Sequence, residues 1–225
     1  MKVRLCVPIC ASTESEIAEW VRRIEKHGEV GFVEIRLDYL KQPDKANMKT
    51  IFDTSLKTIA TCRPSWEFGR FSGSEKIRKA ILQKASKHAD FTDVEMNACW
   101  DSHEFSSDVI ISTHLKNTPN IGDLKRLFLK QRRMANICKI IATAKSLRDN
   151  ARILKFVSMA SQEAKVISFA MGEKGVVSRI LAPIFGSYLT FAAISGRESA
   201  PGQLTVEGMV KIYADMGVEL CLGRE

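Results

Sequence analysis

The sequence predicts a single (β/α)8 TIM barrel over residues 1–225. Three observations lead there. Eight short apolar runs recur, at 3–9, 31–37, 57–62, 90–95, 108–113, 136–142, 165–170 and 187–193. Amphipathic segments lie between most of them, and strands alternating with helices mean a parallel sheet with helical crossovers. A chain of 225 residues also suits the compact end of barrel sizes, which begins at about 200 residues. The competing open sheet needs a glycine-rich phosphate turn after its first strand. The turn here, "ICASTESE", has no glycine.

The elements follow in order. In "MKVRLCVPIC" the apolar part is short, Pro8 interrupts it and no small-residue cleavage site follows. It reads as a first strand rather than a signal peptide. "TESEIAEWVRRIEKHG" is helical: Thr13 and Glu16 have capping-box spacing, Ile17, Trp20, Val21 and Ile24 form one face, and Gly28 is a stop. "SEKIRKAILQKASKHAD" spaces Ile77, Ala80, Ile81 and Ala85 at helical intervals. "IGDLKRLFLKQRRM", "SLRDNARILKFVSMASQ" and "TVEGMVKIYADMG" repeat the pattern. The connections at 41–56 and 97–107 are weaker, and "MGEKGVVSR" reads as the loop after the seventh strand.

Composition narrows the functional classes. The net charge is +8, with the densest basic stretches in "KQRR" (130–133) and "KIRK" (76–79). Both lie in helical segments, read as solvated faces, and lack the interleaved aromatics of a nucleic-acid surface. An anionic small-molecule substrate accounts equally well for the excess. The six cysteines include no C-x-x-C and no cysteine–histidine cluster with zinc spacing. That predicts a reducing, cytoplasmic setting and no structural metal. No apolar run is long enough to span a bilayer, so no membrane or nucleic-acid partner is expected.

Barrel active sites form where strands end and βα loops begin. The polar residues there are Glu34, Arg36 and Asp38 after the second run, and Arg63 and Glu67 after the third. Asp93 and Glu95, His114, Lys139 and Arg179 follow at the next four. Glu34 and Arg36 are two apart, so both face the barrel mouth and can pair with each other. The decisive residue is Lys139, set inside the apolar run of "NICKIIATA". Burial and neighbouring arginines both disfavour the ammonium, and a neutral amine attacks a ketone to form a Schiff base. The iminium acidifies the adjacent C–H, His114 moves that proton, and Glu67 orients the imidazole. Arginines hold a substrate carboxylate. This logic covers imine-assisted enolisation, aldol cleavage and dehydration alike. Sugar-phosphate aldolases therefore remain an alternative.

The motifs "EIRLD", "TCRPSWEFGRFSG", "ICKIIATA", "MGEKGVVSRI", "FGSYLTFAA" and "SAPGQLTV", in that order, resemble type I 3-dehydroquinate dehydratases over nearly the whole chain. The resemblance implies a cofactor- and metal-free homodimeric barrel. Its reaction is the dehydration of 3-dehydroquinate to 3-dehydroshikimate. By resemblance Lys139 forms the imine at the C3 ketone, His114 takes the C2 proton and assists loss of the C1 hydroxyl, and Glu67 supports the histidine. Arg179 matches the residue on the substrate carboxylate, and Glu34, Arg36 and Arg63 match those on the ring hydroxyls and mouth. Ser199 and Gln203 match the loop that closes over the substrate, and Met171 an apolar contact near the imine. One segment departs from the family: "STHLKN" stands where S-Y-H-N-F is usual, with Thr113 in place of the aromatic residue.

Overall fold

The computed structural model describes residues 2–196 and 202–221. The eight barrel strands are β1 (Leu5–Ile9), β2 (Val30–Arg36), β3 (Lys57–Thr61), β4 (Phe91–Glu95), β5 (Asp108–His114), β6 (Ile137–Thr143), β7 (Lys165–Met171) and β8 (Thr190–Phe191). All pair in parallel, in the spatial order β7-β6-β5-β4-β3-β2-β1-β8. The ring closes between β8 and β7, where the Tyr188 N–H donates to Val166 O at 2.7 Å and Ser187 bridges Val166. The predicted (β/α)8 barrel is the fold. An eighth run of seven residues was expected, but only two form ladder pairs.

The helices are α1 (Glu14–Glu25), α2 (Met48–Ile51), α3 (Glu75–Ala85), α4 (Ile121–Arg132), α5 (Arg148–Ala160), α6 (Val176–Leu181) and α7 (Val206–Asp215). The weak 41–56 connection holds a single helical turn, and 97–107 only 3-10 turns. "MGEKGVVSR" is not a plain loop: its second half is α6, with Arg179 on it. The capping box of α1 is half made. Thr13 Oγ1 accepts the Glu16 N–H at 3.2 Å, but the Glu16 carboxylate instead accepts the Ser12 N–H at 2.8 Å.

Ile17, Val21 and Ile24 of α1 pack with Val33 and Ile35 of β2 in one core layer outside the barrel. Residues two apart on a strand share a face, so Cys6, Phe32, Ile59, Phe91 and Ile110 fill the barrel interior below the polar strand ends. Two charged stretches behave differently from a solvated face. Arg78 of "KIRK" and Gln131 of "KQRR" are fully buried, while Ile77 is half-exposed. Arg78 turns inward because Glu75, Glu95 and the Cys62 carbonyl satisfy its guanidinium, and the Trp100 ring lies 4.4 Å from it. Lys2–Val3 pairs with Glu219–Leu220 in a separate parallel ribbon that the periodicity did not foretell.

Candidate active site

Alternation along the strands builds the site. Glu34 and Arg36 on β2, Asp93 and Glu95 on β4, Ser112 and His114 on β5, Lys139 and Ile141 on β6, and Phe169 and Met171 on β7 each sit two apart and face inward at the C-terminal end. Arg63 and Glu67 enter from the β3 loop. A cavity of about 270 Å³ opens there. Of the predicted residues, Lys139, His114, Glu67, Glu34, Arg36, Arg63, Met171, Arg179 and Gln203 all line it. Ser199 lies outside the described residues.

Lys139 is buried, and its Nζ donates to Asp93 Oδ2 at 2.8 Å and to Glu34 Oε1 at 3.2 Å. The Phe191 ring centroid is 4.8 Å from the same nitrogen. The expected depression of its pKa is overturned. Burial does push the ammonium down, but Asp93 and Glu34 outweigh it and leave the pKa above the ordinary lysine value. Asp93 in turn accepts from Ser112 Oγ at 2.5 Å and pairs with Arg63 at 2.8 Å. Burial opposes its ionisation, yet Arg63 and Lys139 hold it below the usual carboxylate range.

His114 is held twice by one oxygen. Glu67 Oε1 lies 2.9 Å from His114 Nδ1 and accepts the His114 backbone N–H at 3.0 Å. The hydrogen-bond pattern assigns the ring proton to Nδ1, leaving Nε2 with its lone pair. Burial, Arg63 and Lys139 push the imidazole well below the ordinary histidine value, so it is neutral. Burial lifts Glu67 to about 7, with Arg63 pulling the other way.

The arginines divide. Arg63 is already engaged, its Nη1 reaching Glu95 and Ser112 at 2.7 Å each and its Nη2 Asp93 at 2.8 Å. Arg36 does not pair with Glu34 as the spacing allowed. Asp38 offers both carboxylate oxygens in register with its guanidinium, at 2.9 and 2.7 Å, while Glu34 goes to Lys139 and to Thr61 Oγ1. Arg179 differs from both. It is buried, stacked 4.4 Å from the Phe169 centroid, and its Nε and Nη2 have no hydrogen-bond partner among the described residues. Burial alone lowers it to about 10.

Strand-end reasoning named Asp93 without giving it a function; its partner on β6 is a tertiary fact. It missed the aromatic lining, Phe68, Phe169 and Phe191. The alternation rule finds Phe169, two before Met171. The unusual Thr113 faces away from the cavity and accepts the Gln131 amide N–H at 3.0 Å; that amide also donates to Lys139 O at 3.1 Å. The departure therefore lies between barrel and helix, and the Leu115 N–H still extends the ladder to Ile141 O at 2.7 Å.

Comparison with known proteins finds relatives over nearly the whole chain. The type I 3-dehydroquinase family profile matches residues 5–219. The chain is 32% identical over 222 residues to the 3-dehydroquinate dehydratase of Methanothermobacter thermautotrophicus, covering 96% of this chain and 98% of that protein. It is 37% identical over 227 residues to the chloroplastic bifunctional 3-dehydroquinate dehydratase/shikimate dehydrogenase of Arabidopsis thaliana, covering 93% of this chain but only 36% of that protein's length. The fold superposes on the crystal structure of 3-dehydroquinate dehydratase from Geobacillus kaustophilus with a TM-score of 0.88 at 20% identity, covering 96% and 92% of the two chains.

Proposed function

The chain belongs to the type I 3-dehydroquinase family and is a 3-dehydroquinate dehydratase, a hydro-lyase of the shikimate pathway; we propose that it dehydrates its substrate through an imine on Lys139. One observation carries this. A buried lysine with carboxylate counter-ions, a neutral histidine held by a carboxylate and a guanidinium with unfilled donors line the same cavity.

The chemistry follows from these charges. Arg179, which lines the cavity and whose Nε and Nη2 have no partner among the described residues, takes the substrate carboxylate in a bidentate fork. A ring hydroxyl competes for Glu34, the longer of the two lysine contacts. Losing that partner lowers the lysine pKa and releases the amine. The amine adds to the C3 ketone, water leaves, and a protonated imine forms beside Asp93, its fixed counter-ion. His114 Nε2 removes the C2 proton, and the electron pair moves toward the iminium. His114 then returns the proton to the departing C1 hydroxyl, which leaves as water. Hydrolysis of the imine frees 3-dehydroshikimate and regenerates the amine. Glu67 stabilises the transient imidazolium.

The sugar-phosphate aldolase alternative has no support from the family match. A homodimer in the reducing cytoplasm is the reading favoured by the family resemblance and by six unpaired cysteines. Among the described residues no helix is long and apolar enough to cross a membrane. Mixing the protein with 3-dehydroquinate and following the conjugated enone in the ultraviolet tests the activity. An absorbance that stays flat at high enzyme concentration refutes it.

A further inference from the structure

Phe68 sits where a bulky side chain is a genuine backbone outlier. Its φ of 64° and ψ of 20° are left-handed, a region that penalises every residue with a β-carbon. The usual compensation, burial in a core, is missing: the side chain is 54% exposed. The turn around it is pinned by backbone hydrogen bonds. The Gly69 N–H donates to Pro64 O at 2.9 Å, the Phe71 N–H to Arg63 O at 3.1 Å and the Ser65 N–H to Phe71 O at 2.9 Å. A β-carbon on Gly69 would lie 2.0 Å from Arg63 O, so the next residue is jammed against the strand end. On the other side stands Glu67, fixed to His114. The ring therefore occupies a position dictated by the site, and it lines the cavity rim.

We propose that Phe68 is a substrate-binding residue: its ring covers the apolar C–H face of the bound carbocycle and is itself buried on binding. This rests on the dehydratase reading. Strain held at such a position is retained where function uses it. The ring supplies contact area and water exclusion that the polar floor of the cavity cannot, while the groups that do the chemistry remain untouched.

Two variants separate ring from strain. Phe68→Gly removes both, and Phe68→Ala removes the ring alone. Initial-rate kinetics with 3-dehydroquinate should show KM raised about fivefold to tenfold in both, the effect of losing roughly half of a phenylalanine's burial, with kcat changed less than KM. Thermal unfolding without substrate should show Tm raised by about 2–4 °C in Phe68→Gly only. Wild-type KM in either variant overturns the proposal. So does a lower Tm in Phe68→Gly, which would make the ring a structural packing element. Failure of the underlying reading is distinguishable, because then the wild-type protein itself would not dehydrate 3-dehydroquinate.

Discussion

Arg179 should destabilise the empty protein and stabilise the loaded one. Burial alone holds its pKa at about 10, a depression below the ordinary arginine value worth roughly 3 kcal/mol at one pKa unit per 1.36 kcal/mol. The sign is that of a buried base. The unfolded chain binds the proton more tightly, so the penalty is constant below pH 10 and relieved only as pH rises above it. Replacing Arg179 with methionine removes that penalty. It also loses the contact with Phe169 at 4.4 Å, about 1 kcal/mol, and some stem packing. A net gain on the order of 1 kcal/mol remains, which raises Tm by about 2–4 °C in a domain of this size. The same residue binds the carboxylate, so Arg179→Lys, a point charge in place of a fork, weakens substrate binding by roughly 1.5–3 kcal/mol. That is about a 10- to 150-fold rise in KM. Differential scanning calorimetry without substrate and steady-state kinetics read the two effects separately. A Tm that falls in Arg179→Met would refute the unpaired-charge argument. An unchanged KM in Arg179→Lys would remove the residue from substrate recognition.

Further outcomes follow from the same charges. Borohydride with substrate should trap one adduct per chain on Lys139; Lys139→Ala should abolish trapping and dehydration, whereas exposed Lys145, in the loop after β6, should be replaceable by alanine without loss of either. An adduct mapped to Lys145 would sink the mechanism. His114→Ala should still form the adduct but turn over ~10²–10⁴-fold more slowly, and near-normal turnover would reassign the proton transfer. Because Glu67 ionises at about 7, kcat should climb as pH rises through that value, and Glu67→Gln should flatten the limb; a Glu67→Gln profile identical to wild type would contradict its pairing with His114. With the iminium as the electron sink, activity should survive exhaustive chelation, and a loss reversed by added zinc would argue for another chemistry.

The strands are legible in the sequence because a parallel strand buried on both faces is a continuous apolar run: the run 57–62 matches the strand Lys57–Thr61, and 165–170 matches Lys165–Met171. Most polar residues at the ends of such runs line one cavity; Asp38, Asp93 and Glu95 instead pair with its basic residues Arg36, Lys139 and Arg63. α6 was not legible, since six residues between glycines and the next turn carry too little periodicity. Periodicity places Arg78 in water because it counts every arginine as solvated, whereas the partner that buries it, Glu95, stands on another element. The proton on Lys139 failed for a similar reason. Burial and cationic neighbours were visible in the order of residues, but the 2.8 Å approach of Asp93, which reverses their effect, was not.

The ribbon between Lys2–Val3 and Glu219–Leu220, tied further by the Cys221 N–H to Val3 O at 2.7 Å, joins the two ends of the described chain beneath the barrel. It lies on the face where strands begin, and the cavity on the face where they finish. Both described ends of the chain are therefore held on the face opposite the substrate's route of entry. An affinity handle on this protein should therefore leave the mouth open, and an unchanged KM for 3-dehydroquinate in the tagged protein is the expected result.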